Sequence, residues 1–359
     1  MKNLNIRNAV AGYGVVCGLA VLAAAVPAVA QISPVPNSPY AIKVFAAAPR
    51  GTSQPDSIVQ WGDHIIVGFA NGVAKDGTDG KSSTIVQFSL NGKVERMFSV
   101  PGHNDGLRVV GDDDLWALQN EDANPNLVVI ELNSGSQKKY KFILPTPHGG
   151  GYDDMVVKNG EVFMTASNPN LDAFGNNVFP ALVRASLSGS QVLVEPVMDG
   201  NASATDIATG GAVTLNLTDP DSLTIDPRGN ILLDSQADSV LVFIQHPFTD
   251  EQKVGYLQVN STVPAPKDVP RITLDDTAFA PNPKAFLLVT DIVAGVIYRI
   301  DGGTFGFEPG TAYTASDTQA LVGTLNLDNG LVTPVITGLG SPRGLLFISP
   351  DGDKDGDDK

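Results

Sequence analysis

One cysteine, Cys17, occurs in 359 residues, and it lies inside the leading apolar segment. A chain trimmed after Ala30 keeps no thiol, which excludes disulfides, thiolate metal sites and a cysteine nucleophile. Basic residues are also few: 23 Lys and Arg stand against 39 Asp and Glu, a net charge of −16. A surface of that sign repels nucleic acid and anionic lipid. The motifs G-x-S-x-G and H-E-x-x-H are missing, as are a Walker loop and a Rossmann fingerprint. The usual routes to a serine hydrolase, a zinc protease or a nucleotide-binding enzyme are therefore closed.

The N-terminus carries a targeting pattern. Lys2 and Arg7 form a basic region, an apolar run follows, and Ala28-Val29-Ala30 is a small-x-small cleavage signal before Gln31. Glycines interrupt the run, so it reads as a removed signal peptide (1–30) rather than a retained span. Val16 stands before Cys17 where a lipoprotein signal needs a small residue. Loss of Lys2 and Arg7 takes the charge from −16 to −18. The expectation is a secreted or periplasmic monomer with no membrane span after cleavage.

What is present is a repeated phrase. PDSLTIDPRGNILLD, from Pro220, has an acid leading a short apolar strand, a Pro/Gly turn and a second apolar strand. Variants begin at Pro55, Asn104, Asp153 and Asp275, and a shortened one begins at Ser341. Aligned on the acid, they place Asp56, Asp105, Asp154, Asp221, Asp276 and Arg343 at intervals of 49, 49, 67, 55 and 67 residues. A period of this length signals propeller blades or solenoid turns. Further strands follow each hairpin, as in STIVQFSL and KVERMFSV around Asn91-Gly92. Four strands per unit with almost no helix favours the propeller.

The predicted fold is thus all-β: a propeller over residues 40–350, with six blades of four antiparallel strands and five blades as the alternative. Residues 31–39 read as a linker and 351–359 as an acidic tail. Residues 40–47 form a lone strand suited to closing the ring against the last blade. Residues 199–218 and 302–319 read as loops inserted over one face. The sixth blade is too short by itself, and it would borrow residues 40–47 together with LVGTLNL and LVTPVIT.

In a propeller the first strand of each blade lines a central channel. The lead residues would then gather at one mouth, with Asp105, Asp154, Asp221 and Asp276 as oxygen ligands for a hard cation, Ca²⁺ above all. The alternative is that each Asp caps its own turn. His103 and His148 both precede an inner strand and are the candidate bases; His64 and His246 read as structural. The glycines after His148 permit close approach of a ligand or of a neighbouring blade. Arg343 pairs with an Asp or takes an anionic group. The tail DGDKDGDDK opens like a calcium loop but stops before the Glu that would complete one. Asn201, Asn216 and Asn260 stand in glycosylation sequons.

The phrase from Pro220, with Asp221, Asp226, Gly229 and Asn230, resembles the P-D-G-x-x-x-D-x-x-G-N phrases of the six-bladed SMP-30/gluconolactonase and strictosidine-synthase-like propellers. That resemblance implies a divalent cation at the channel mouth. Asp221 would act as ligand and proposed base, and Asn104 as a further ligand. The Glu ligand such enzymes carry near the first blade has no counterpart in residues 50–55. Two functions follow: a binding or scaffold module for a small molecule or an envelope partner, or a metal-dependent hydrolase of a small lactone or ester. A redox-cofactor propeller is disfavoured, since there is no haem motif and Trp61 and Trp116 fall in strand hairpins.

Overall fold

The computed structural model describes residues 32–36, 38–263 and 271–350. The expected signal peptide and the acidic tail lie outside these. The described chain is built almost wholly of strands, with one short 3₁₀ turn at Gly303–Phe305. No described helix is long and apolar enough to cross a membrane.

The strands group into antiparallel units of four, each starting from an inner strand; short extra strands lengthen two of them, and a parallel pairing of Lys141-Phe142 with Gln191-Val192 joins the outer edges of the second and third. The inner strands are Pro55–Trp61, Asn104–Val110, Gly151–Lys158, Pro220–Ile225, Thr277–Phe279 and Pro342–Ile348. Each packs beside the next, and the last returns to the first, so the six close a ring. This is a β-propeller. Alternation along the strands sends one set of side chains between neighbouring sheets. Ile66, Ile85 and Val100 of the first unit meet Leu107, Leu115 and Val128 of the second. Burial of such aliphatic side chains, at about 25 cal/mol per Å², is what holds one unit to the next.

The last two units depart from chain order. The phrase from Asp275 is not a hairpin: Thr277–Phe279 pairs with Ala312–Ser316, while Phe286–Asp291 pairs with Pro342–Ile348. The chain thus crosses to the neighbouring sheet and back. The final unit runs Pro342–Ile348, Phe286–Asp291, Val296–Asp301 and, outermost, Ala41–Ala47. The N-terminal strand does close the ring, but Leu321–Leu325 and Leu331–Thr337 belong to the preceding unit. Nor are the two insertions plain loops. Residues 199–218 carry a hairpin, Ser203–Asp206 with Ala212–Thr214, that pairs in parallel with the outer strand Lys253–Gln258. Residues 302–319 contain Ala312–Ser316 itself. Within the expected linker, Ser33–Pro34 pairs with the outer strand Leu331–Thr337.

A local irregularity sets the channel chemistry. Every inner strand leaves register for two residues near its start, as between Pro55 and Ile58, Asn104 and Leu107, Tyr152 and Met155, and Pro220 and Leu223. Arg343-Gly344 repeats it against Phe286–Asp291, and Asp275-Asp276 against Ala315. Such a bulge turns successive side chains to different sides and frees backbone groups that must be satisfied elsewhere. The first bulge position holds Asp56, Asp105, Asp153, Asp221, Asp275 and Arg343. The second holds Ser57, Gly106, Asp154, Ser222, Asp276 and Gly344.

The second position alternates round the ring. Ser57 Oγ accepts the N–H of Leu107 at 2.9 Å, Asp154 Oδ2 that of Leu223 at 2.9 Å, and Asp276 Oδ2 that of Leu345 at 2.7 Å. Each therefore ties its strand to the next one. Between them, two positions must be small. A Cβ on Gly106 would lie 2.2 Å from the Asp153 carbonyl oxygen, and one on Gly344 2.7 Å from that of Asp56. Gly106→Ala is expected to destabilise the protein by about 2–4 kcal/mol through this backbone clash, measurable by urea unfolding.

Candidate metal and ligand site

The first bulge positions open on a cavity of about 430 Å³ at one mouth of the channel. Asp56, Asp105, Asp153, Asp221, Asp275 and Arg343 all line it, joined by Lys75, His103 and Glu121. Six distant segments thus contribute to one acidic basin. Asp154 and Asp276 reach it only at its floor, because they occupy the second bulge position and are spent on the Leu223 and Leu345 amides. The alignment that equated Asp154 and Asp276 with Asp56 is off by one; Asp153 and Asp275 are the equivalent residues.

His103, Asp105 and Glu121 converge so that one ligand atom from each lies within 4.8 Å of the others. Their burial is nearly complete: 6%, 9% and 5% exposed. His103 Nδ1 is 2.8 Å from the Val73 carbonyl oxygen, which can only accept, so Nδ1 carries the proton. In the neutral ring Nε2 then keeps its lone pair, and it has no hydrogen-bond partner among the described residues. A neutral imidazole fixed in this way by a carbonyl is the usual preparation of a metal-binding histidine. Imidazole and two carboxylates together fit a divalent cation.

Asn120 holds the cluster together. Its Oδ1 accepts the His103 N–H at 2.9 Å, and its own N–H donates to the His103 carbonyl at 2.7 Å. Asn120 adopts φ 67°, a left-handed turn that Asn tolerates, and this swings Glu121 out of the end of strand Asp114–Gln119 into the basin. The third of the glycines after His148 completes the fit. Gly151 donates its N–H to the Glu121 carbonyl at 3.0 Å, and a Cβ there would lie 2.4 Å from that oxygen. The close approach is therefore between neighbouring blades. Gly151→Ala should displace Glu121 and weaken cation binding about tenfold or more, read by calorimetry.

Burial pushes the Asp105, Asp153 and Asp221 carboxyls well above the usual carboxylate range, and each has a like-charged neighbour that adds to the effect: Asp153, Asp221 and Asp275 respectively. Burial acts on Glu121 too, but hydrogen bonds from Asp105 and Asp153 and the charge of Lys75 outweigh it and bring its pKa down to about 2. Asp275, buried but paired with Arg343, rises to about 7. Burial thus disfavours the charged forms of Asp105, Asp153 and Asp221, whereas the charged form of Glu121 is favoured. Lys75 Nζ forms an ion pair with Glu121, and Arg343 with Asp275 and, at 3.4 Å, Asp317.

Other expected site residues stand apart. Asn104 is fully buried, donates to the Leu118 carbonyl at 2.9 Å and turns its Oδ1 toward Gly68, away from the basin. His148 is fully buried behind the basin, edge-on to Tyr152 and 2.6 Å from the Gly151 carbonyl oxygen. Burial lowers its pKa to about 4, so it stays neutral. Glu121 and Lys75 escaped the sequence reading because they lie outside the repeated phrase. The turn-forming Asn120 just after an apolar strand was the available signal for Glu121.

No family model matches the chain, and no curated protein sequence matches it. Similar solved structures include a putative gluconolactonase, 13% identical, covering 87% of each chain with a TM-score of 0.48. Virginiamycin B lyase from Staphylococcus aureus is 11% identical, covering 85% of this chain and 88% of that one, with a TM-score of 0.47. The periplasmic gluconolactonase of Pseudomonas aeruginosa is 12% identical, covering 86% of this chain and 99% of that one, with a TM-score of 0.43.

Proposed function

We propose that this is an exported, divalent-cation-dependent hydrolase of a small ester or lactone, acting at the channel mouth. The observation that carries the reading is the His103–Asp105–Glu121 cluster, with its preset imidazole, opening on the basin. His103 Nε2, Asp105 and Glu121 are the ligands. The nitrogen donor favours a first-row ion such as Zn²⁺ or Mn²⁺ over Ca²⁺, which prefers all-oxygen sites. A divalent ion bound there supplies Lewis acidity for a carbonyl and acidifies water.

The chain's own groups do the remaining work. Asp153 and Asp221, whose charged forms burial disfavours, are the groups placed to donate to ligand hydroxyls and to a departing oxygen. Arg343, held by Asp275, offers a fixed positive wall for a ligand carboxylate. The test is a panel of small lactones and esters with chelated protein, before and after Zn²⁺, Mn²⁺ or Ca²⁺. Hydrolysis restored about 100-fold by a cation supports the proposal; tight cation binding with no turnover on any substrate overturns it.

That second outcome would favour a binding module for a small polar molecule. The Lys75–Glu121 ion pair supports this reading, since it lets the fold hold the acid cluster without turnover chemistry.

A further inference from the structure

Lys75 belongs to the loop joining His64–Phe69 to Ser82–Ser89. Two residues earlier in the same loop, Val73 supplies the carbonyl that fixes the His103 tautomer. The loop therefore does two opposed things. Through Val73 it prepares an imidazole to receive a cation, and through Lys75 it delivers a cation of its own to the carboxylate beside that imidazole. Lys75 Nζ is paired with Glu121 Oε1. Yet the Lys75 side chain is 57% exposed, against 7% for that of Glu121. The stem of Lys75 runs out to solvent while its ammonium dips to the buried carboxylate, so the lysine can be withdrawn outward and the carboxylate cannot. Two cations sharing one buried carboxylate repel each other strongly in a low dielectric.

We propose that Lys75 is a resident, displaceable cation that occupies the Glu121 corner of the basin and sets the threshold for divalent-ion binding. The inference rests on the cation site proposed above. On binding, Lys75 releases Glu121 and swings into solvent; on loss of the ion it returns, so the acid cluster is never left without a counter-charge. A lysine suits this better than an arginine, because its single ammonium on a flexible stem exchanges partners without breaking a bidentate pair.

The experiment is calorimetric titration of Mn²⁺ and Zn²⁺ into the full chain, comparing wild type with Lys75→Gln, Lys75→Arg and Lys81→Gln. Lys81 lies near the end of the same loop, is 62% exposed and pairs with Asp79, so its loss changes net charge without touching the basin. Lys75→Gln should bind the ion about tenfold or more tightly, and Lys75→Arg and Lys81→Gln no more tightly than wild type. Cation-free Lys75→Gln should also melt below wild type and recover on adding the ion. Equal affinity in wild type and Lys75→Gln, or an equal gain in Lys81→Gln, overturns the inference while leaving the cation site standing. Binding by Lys75→Gln alone upholds the inference but removes the site as a working one in the native chain. Binding by neither removes both.

Discussion

Glu121→Gln will lower divalent-ion affinity by about 100-fold or more and remove cation-dependent turnover with it. The amide keeps the shape of the side chain but not its charge, and Glu121 is the one carboxyl of the cluster whose pKa is driven down rather than up. Its loss leaves His103 facing carboxyls whose charged forms burial disfavours. Two comparisons make the result specific. Asn104→Ala should cost about 1–3 kcal/mol of stability by breaking a buried amide bond to Leu118, with cation affinity unchanged. Asp154→Asn should likewise leave affinity intact, since its Oδ2 serves the Leu223 amide. Calorimetry with urea unfolding on the three variants separates ligands from fixtures.

The second large effect is on pH. With no cation bound, the protein should be most stable near pH 5 and lose stability as pH rises to 8. The folded-state pKa values of Asp105, Asp153, Asp221, Asp234 and Asp276 all lie above the ordinary 3.8, chiefly through burial. Asp275, at about 7, titrates within the window. In the unfolded chain these groups have already ionised by pH 5, so above that the folded state binds more protons than the unfolded one. Stability must then fall as pH rises. Glu121 acts in the opposite sense only below about pH 4, and His148, held neutral by burial with a pKa of about 4, opposes the trend below its ordinary 6.5, so the fall is steepest above that pH. The melting temperature should drop by about 5 °C or more between pH 5 and 8, and a saturating cation should abolish the drop. Because the ion displaces protons, binding enthalpies at pH 6.5 should change with the ionisation enthalpy of the buffer.

These expectations depend on details that the repeats reveal only in part. A recurring acid-led strand is enough to suggest a ring with carboxyls at one mouth, because the phrase carries its own turn residues. Which carboxyl faces the mouth is another matter. The two-residue bulge is silent in sequence, and where two acids stand together, as at Asp153-Asp154 and Asp275-Asp276, a one-residue slip exchanges basin for floor. The same alternation takes Asn104 out of the site while leaving Asp105 in it. The strand exchange near the C-terminus left a trace: the phrase from Asp275 has no Gly in its turn, and the phrase from Ser341 has no second strand to pair with. Glu121 and Lys75 left none in the quoted phrases, since they come from the connections between second and third strands; the positive-φ Asn that opens these turns recurs at Asn71, Asn120 and Asn168, but the residues after it differ from blade to blade.

Ser57, Asp154 and Asp276 line both the basin and a second cavity of about 300 Å³ further along the axis, and they stand between the two. Because each is pinned to a neighbouring strand's amide, this shutter is part of the scaffold and cannot swing aside without breaking the ring. A ligand seated in the basin therefore rests on a fixed partition, with Lys75 and Arg343 on the walls beside it. A ligand with one bulky end is expected to seat with that end turned away from the partition.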